Sequence, residues 1–300
     1  MTSGRIQMEF PSGVAVDFGG TKLSAARVTA GKIGPVMKVQ TDGGGDAAHQ
    51  MEAICDMLDQ LELRPEERVG VALTGRVSND GVWHAVNTDT LSGVHSVPVR
   101  ALLSARLDRD VKVDNDATAA AVGEYIAGAG RGVVSFGFIT VSTGVGGGII
   151  LDGKPLLSVN GLAGHVGFST SRIATELCGS GRQSTIESIA GGRSIAALAA
   201  KAGYSGYDAK AVFSAHLDGQ EWATKLITQS AQAIAELCAN LTTILELERI
   251  AIAGSIGLAS GYLELVQRAL ADEPELYRPE VVSAQLGQNS AFVGILAQTN

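Results

Sequence analysis

Apolar runs broken by glycine recur along the chain and predict paired strands. Residues 138–151 are apolar at both ends and carry Ser142, Thr143 and Gly144 between them, which predicts a strand, a tight turn and a second strand. Residues 14–28 repeat the pattern around a glycine turn at 18–22. The two hairpins therefore indicate a diverged internal repeat.

Both glycine turns have the composition of an anion site. Glycine permits positive φ and a close approach of the backbone, and successive N–H groups with nearby hydroxyls supply donors. The alternative is a glycine-rich hairpin without a ligand. Neither turn is a P-loop, because no GxxxxGK[ST] segment precedes a helix. One such turn near the start of each half suggests a nucleotide clamped between two similar domains.

Strands and helices alternate through the rest of the chain, which is typical of an α/β protein. Helices are predicted at residues 46–63, 98–107, 114–127, 221–247 and 289–297. Further strands are predicted at residues 69–73, 82–86, 111–113, 249–253 and 281–284. Ligands of open α/β sheets bind outside the carboxyl ends of strands. The loop with Gly75 and Arg76 follows one such strand, and the polar loop with Asn87 and Thr88 follows another.

Composition narrows the class of protein. The length of 300 residues favours two domains, and 45% hydrophobic residues with a mean hydropathy of +0.19 support a sizeable core. A net charge of −8 argues against nucleic-acid binding. No apolar leader opens the chain, and no apolar run is long enough to span a bilayer. Three widely spaced cysteines indicate a reducing compartment, so we expect a cytoplasmic protein.

Three further positions have two interpretations each. Asn115 and Asp116 open an alanine-rich helix, which capping alone explains, but Asp116 could instead be a catalytic base facing the glycine turns. His165 lies between glycines in a loop, where ligand contact competes with a structural role. The junction at residues 253–257, strand then glycine then helix, is common but suits an adenine or ribose platform.

Taken together, five segments resemble the family of sugar kinases, open-reading-frame proteins and repressors known as ROK, over residues 14–296. They are residues 17–22, 115–121, 143–148, 161–167 and 187–192. The resemblance implies an α/β, actin-like duplicated ATPase fold of the ribonuclease H-like type, with two lobes and a central cleft. We expect residues 1–114 plus 288–300 in a small N-terminal lobe and 115–287 in a large lobe.

The resemblance also implies a role for each matching position. Asp116 would accept the proton of a sugar 6-hydroxyl as that oxygen attacks the γ-phosphorus of ATP. Positions that would hold the ATP phosphates and Mg²⁺ are Asp17, Gly19, Gly20, Thr21, Lys22, Thr143 and Gly144. Positions that would hold adenosine are Gly254, Ser255 and Gly257. Positions near the sugar are Gly75, Arg76, Asn87, Thr88, Asn115, His165 and Glu187.

One departure from the family concerns a structural zinc, which members commonly hold with one histidine and three cysteines. Phe168 stands at the histidine position, and only Cys178 remains of the cysteines, with Ser180 and Thr185 at other ligand positions. One thiolate cannot complete a closed tetrahedral site. We therefore expect no zinc, and Phe168 packed in its place.

Three functions remain open. Residues 141–144, 163–167 and 253–262 most resemble bacterial N-acetylmannosamine kinases, which implies 6-phosphorylation of that sugar in sialic acid breakdown. A kinase for glucose or N-acetylglucosamine is the alternative. A sugar-sensing repressor is disfavoured, because it needs a helix-turn-helix and a basic surface, and sixteen residues precede Asp17. We expect ATP and Mg²⁺ as cofactors, a sugar substrate, a homodimer, and no nucleic-acid or membrane partner.

Overall fold

The computed structural model describes residues 11–87, 91 and 93–297. Within that part of the chain the strands are β1 (Gly13–Phe18), β2 (Lys22–Thr29), β3 (Lys32–Ile33), β4 (Met37–Gln40), β5 (Val69–Leu73), β6 (Arg76–Val77), β7 (Trp83–His84), β8 (Val111–Asn115), β9 (Phe136–Val141), β10 (Val145–Leu151), β11 (Lys154–Pro155), β12 (Arg249–Ala253) and β13 (Glu280–Ser283). The α-helices are α1 (Ala47–Gln60), α2 (Val99–Leu107), α3 (Asp116–Ala127), α4 (Glu187–Ala190), α5 (Gly192–Lys201), α6 (Ala209–Leu217), α7 (Glu221–Leu245), α8 (Gly254–Gly257), α9 (Tyr262–Leu270) and α10 (Ser290–Ala297).

Two sheets with the same arrangement form the framework. In the first, β1 pairs antiparallel with β2 and parallel with β5, which pairs parallel with β8. In the second, β9 pairs antiparallel with β10 and parallel with β12, which pairs parallel with β13. The first sheet also carries β3 and β4 on β2, and the second carries β11 on β10. The predicted internal repeat is confirmed, since each glycine hairpin occupies the same place in its sheet.

The helices α3 and α10 pack against each other between the two sheets. A Cβ on Gly294 would lie 1.7 Å from the carbonyl oxygen of Ala119, and one on Gly123 would lie 2.0 Å from that of Ser290. The two helices therefore meet backbone to backbone, which only glycine permits. Helix α10 also packs on β1 and β5, and the expected division of the chain into two lobes stays a prediction.

Most predicted elements are confirmed, with shifted ends. Helix α1 begins after its cap Asp46, whose side chain accepts a hydrogen bond from the backbone N–H of His49, but it ends at Gln60, before the predicted end. The left-handed backbone of Glu62 stops the helix there. The strand predicted at 82–86 is only the two-residue β7. None of the helices in the described ranges is long and apolar enough to cross a bilayer.

Candidate active site

A cleft of about 680 Å³ opens where the carboxyl ends of the strands of both sheets face each other. This is an ordinary size for a small-molecule site. The predicted site residues that line it are Gly19, Gly20, Thr21, Gly75, Asn87, Asn115, Asp116, Thr143, Gly144, His165 and Glu187. Segments more than 150 residues apart in the chain thus converge on one cavity.

The remaining predicted residues lie beside the cleft or outside the described ranges. Arg76 donates from its Nη1 to the carbonyl oxygen of Asn160 at 2.6 Å, which links β6 to the loop before His165. Ser255, with Gly254 and Gly257 in α8, lies next to the turn after β9. Lys22 is exposed at the start of β2, and Thr88 falls outside the described residues. The ligand roles of these residues stay predictions.

Asp116 is the first residue of α3 and lines the cleft. Its Oδ1 accepts hydrogen bonds from the Nδ2 of Asn115 at 2.9 Å and from the backbone N–H of Ala117 at 2.8 Å. Asn115 also caps the helix, since its Oδ1 accepts from the backbone N–H of Thr118 at 3.0 Å. The capping interpretation is therefore confirmed for Asn115, while Asp116 is left with its carboxylate directed by that cap.

Asn115 also connects the end of β8 to the loop that follows β5 in the cleft. Its Nδ2 donates to the carbonyl oxygen of Gly75 at 2.8 Å, at the end of the neighbouring strand. Gly75 has a φ of +95°, and a Cβ there would lie 2.6 Å from the carbonyl oxygen of His84, so the position requires glycine. The hydrogen bond to Gly75 fixes the side-chain amide of Asn115, and that amide in turn holds the carboxylate of Asp116.

Asp17 and Asp116 form an acidic pair with weakened acidity. Loss of hydration, and then the charge of Asp116, raise the pKa of Asp17 to about 7. Loss of hydration also raises the pKa of Asp116 to about 6, although hydrogen bonds from Ala117, Asn115 and Thr74 oppose the rise. Two carboxylates in such surroundings favour a cation or a proton between them.

The turn between β9 and β10 is held from two sides. The backbone N–H groups of Gly192 and Arg193, at the start of α5, donate to the carbonyl oxygens of Ser142 at 2.8 Å and Thr143 at 3.1 Å. On the other side, Ser142 Oγ lies 3.1 Å from Ser255 Oγ. The turn is therefore a rigid platform at the cleft, with the Thr143 side chain exposed.

The start of α8 also supports that platform. Gly254 has a φ of +90°, and a Cβ there would lie 2.3 Å from the carbonyl oxygen of Val141. Only glycine lets α8 begin this close to the end of β9.

Glu187 connects α4 to the same turn. Its Oε2 accepts a hydrogen bond from the backbone N–H of Val145 at 3.0 Å, and a Cβ on Gly144 would lie 2.4 Å from that oxygen. Loss of hydration raises the pKa of Glu187, whereas the Val145 N–H and the charge of Arg193 lower it. A residue expected near the sugar therefore also holds the backbone expected to bind phosphate.

His165 is half-buried in the cleft wall and stacks on Phe168, with ring centroids 5.8 Å apart and planes inclined by 25°. Loss of hydration lowers its pKa, although the carbonyl groups of Leu162, Ala163 and Gly75 oppose this. The imidazole is therefore neutral at pH 7 and can both donate and accept a hydrogen bond.

The loop at residues 178–185, where the resemblance would place zinc ligands, is closed by hydrogen bonds. The backbone N–H of Cys178 donates to the carbonyl oxygen of Arg182 at 2.9 Å, and Cys178 Sγ lies 2.9 Å from Ser180 Oγ. Among the residues that the structure describes, no three His, Cys, Asp or Glu side chains form a metal cluster. The prediction that the protein contains no zinc awaits measurement.

The cleft also holds residues that sequence patterns did not indicate. Thr74 contacts Asp116, and Arg193 lies on the wall beside Glu187. One local signal marks Arg193, since a basic residue in the first turn of a helix opposes the helix dipole.

Known proteins are similar to this chain in sequence and in fold. The ROK family model matches residues 13–299. The chain is 38% identical over 281 residues to N-acetylmannosamine kinase of Haemophilus influenzae (strain PittGG), covering 94% of this chain and 93% of that protein. It is 38% identical over 290 residues to N-acetylmannosamine kinase of Citrobacter koseri, covering 96% and 99%.

Solved structures agree with these relatives. The ROK hexokinase of Thermus thermophilus is 27% identical with a TM-score of 0.83, covering 95% of this chain and 97% of that one. The ROK family glucokinase of Streptomyces griseus, in complex with glucose and AMPPNP, is 28% identical with a TM-score of 0.81, covering 95% and 98%. The expected actin-like ATPase fold is confirmed. Because the family model matches almost the whole chain, the chain belongs to the ROK family.

Proposed function

We propose that this protein transfers the γ-phosphoryl group of ATP to the 6-hydroxyl of N-acetylmannosamine, giving N-acetylmannosamine 6-phosphate and ADP, in sialic acid breakdown. Relatives that are 37–38% identical over nearly the whole chain are N-acetylmannosamine kinases. The neighbouring structures include a hexokinase and a glucokinase, so the chain is an ATP-dependent sugar kinase.

The observation that carries the proposal is the position of Asp116. It lies at the cleft floor, within one cavity that also holds His165, Glu187 and the turn containing Thr143. A sugar bound against His165 and Glu187 would present a hydroxyl between the Asp116 carboxylate and a phosphate bound at the turn. Phosphoryl transfer needs such in-line positioning more than covalent catalysis.

The raised pKa suits Asp116 to act as a general base. With a pKa of about 6, the carboxylate is mostly ionised at pH 7 and is a stronger base than an ordinary aspartate. The hydrogen bond from Asn115 keeps Oδ1 in place, so the other oxygen can receive the proton of the hydroxyl. Activity should therefore fall as the pH is lowered through about 6.

Asp17 fits a role in holding Mg²⁺. Carboxylates are preferred magnesium ligands, and a divalent cation would offset the loss of hydration and the charge of Asp116, which together raise the pKa of Asp17 to about 7. A magnesium ion held by Asp17 would supply neutralisation of the phosphate charge. The chain itself supplies the two glycine turns, at residues 19–21 and 142–144, on which the phosphates would lie.

His165 supports the choice of an N-acetylhexosamine. An ionised glutamate at this position would only accept hydrogen bonds, whereas the neutral imidazole of His165 can donate one to an acetamido oxygen. A kinase for glucose remains the second candidate, because glucokinase and hexokinase structures share the fold at 27–28% identity.

The decisive experiment is ATP turnover of the purified protein with a panel of hexoses and N-acetylhexosamines. The highest kcat/KM is expected for N-acetylmannosamine. A preference for glucose or N-acetylglucosamine would move the assignment to the second candidate. No turnover with any sugar, although Mg·ATP binds, would remove the kinase assignment.

Location, assembly and partners follow from the same resemblance. We propose a cytoplasmic homodimer that requires Mg²⁺ and acts on a small sugar, without a nucleic-acid or membrane partner. Sedimentation of the purified protein tests the dimer, and turnover in the presence of a chelator tests the metal.

A further inference from the structure

Arg193 occupies an unusual place for a cation. It lies in the first turn of α5, on the wall of the cleft, with its side chain exposed. A positive charge at a helix N-terminus opposes the helix dipole. The charge of Arg193 therefore does not stabilise the N-terminal end of its own helix.

The backbone brings this side chain to the turn after β9. The N–H of Arg193 donates to the carbonyl oxygen of Thr143 at 3.1 Å, so the two exposed side chains leave the backbone from hydrogen-bonded neighbours. Gly144 adds no side chain between them and the cleft. The Thr143 and Arg193 side chains therefore start from adjacent points of the cleft wall, beside the turn at which we expect an anion.

The charges around the cleft give the arginine a purpose. Asp17, Asp116 and Glu187 are acidic, and ATP would bring several more negative charges. Among the described residues that line the cleft, the basic side chains are Arg193 and Lys201. Lys201 is bonded to Glu176 at the far end of α5, away from the turn.

We propose that Arg193 is a nucleotide-binding residue whose guanidinium binds phosphate oxygens of ATP and ADP held on the turn 142–144. This inference rests on the proposed kinase function. A guanidinium can donate two parallel hydrogen bonds to a phosphate, which a lysine ammonium cannot reproduce. Arg193 also lies close enough to lower the pKa of Glu187, so its charge is shared between phosphate and carboxylate.

The test compares Arg193→Gln and Arg193→Lys with the wild type. The affinity for Mg·ADP, measured by calorimetry without sugar, should fall about tenfold or more in Arg193→Gln, because a charge-assisted hydrogen bond is lost. The KM for ATP should rise in parallel, while the KM for the sugar stays near the wild-type value. Arg193→Lys should lose an intermediate amount, and all differences should shrink as salt is added.

The matched control is Arg268→Gln, which removes the same charge from an exposed position on α9, away from the cleft. It should bind Mg·ADP like the wild type. Thermal unfolding verifies that each variant is folded, and Arg193→Lys keeps a positive charge beside Glu187.

Two outcomes would overturn the inference. One is an unchanged Mg·ADP affinity in Arg193→Gln. The other is a raised sugar KM with normal nucleotide binding, which would mean that Arg193 acts only through Glu187. Failure of the proposed kinase function is distinguishable, because a wild type that phosphorylates no sugar still permits the Mg·ADP comparison.

Discussion

Replacing Asp116 with asparagine should make the free protein more stable and nearly inactive. Asparagine keeps an Oδ1 that can accept from the Asn115 amide and the Ala117 N–H, and Asn115, the helix cap, is untouched. What the substitution removes is a poorly hydrated charge. Because that charge is also the proposed base, kcat should fall about 10²-fold or more.

The size of the stability change follows from the pKa of Asp116. It rises from 3.8 to about 6 on folding, and each pKa unit corresponds to about 1.4 kcal/mol. The folded protein holds the proton of Asp116 more tightly than the unfolded chain does. The ionised carboxylate therefore lowers the free energy of unfolding, by little below about pH 4, by more as the pH rises, and by a constant amount above about pH 6. This loss of stability is up to roughly 3 kcal/mol at pH 8 and about half of that at pH 5.

Urea unfolding at pH 5 and pH 8, without nucleotide or metal, measures this difference. Asp116→Asn should gain more stability over the wild type at pH 8 than at pH 5. The control is Asp110→Asn, which removes an exposed charge just before β8 and should show no such pH dependence. A variant that is destabilised equally at both pH values would refute the electrostatic reasoning. Near-normal turnover would leave Asp116 with a structural role alone.

Two further predictions concern specificity and metal content. His165→Glu should lower kcat/KM for N-acetylmannosamine more than for glucose. The ratio of the two kcat/KM values should shift about tenfold or more, since a mispaired buried polar group costs about 1–3 kcal/mol. An unchanged ratio would mean that His165 does not determine specificity. Elemental analysis of the purified protein should find no stoichiometric zinc, because one thiolate cannot close the site, and about one zinc per chain would contradict this.

Local sequence patterns were sufficient to predict the two hairpins and the start of helix α3. Glycine turns flanked by apolar runs predicted β1 with β2 and β9 with β10, and each pair is found. The asparagine before an alanine-rich segment predicted the start of α3, where it accepts a hydrogen bond from the Thr118 N–H. These features depend on backbone conformation and on bonds between near neighbours, which composition over a few residues controls.

Helices α5, α6 and α9 were not predicted, although each is well formed. Apolar residues do recur in them at helical spacing, such as Tyr262, Val266 and Leu270 in α9, but each helix has only nine or ten residues and is buried by packing on α7. Tertiary burial, more than intrinsic propensity, stabilises helices of about ten residues.

The chemistry of the cleft depends on contacts that no local pattern encodes. The bond from Asn115 to Gly75 joins residues 40 apart, and that from Val145 to Glu187 joins residues 42 apart. The pKa values of Asp17 and Asp116 are raised because folding reduces the hydration of both carboxyls, and the charge of Asp116 raises the pKa of Asp17 further. The sequence by itself determined which residues were available for catalysis. Only the tertiary structure decided their hydration, their neighbours and therefore their acidity, because electrostatic interactions depend on distance and dielectric surroundings and not on separation along the chain.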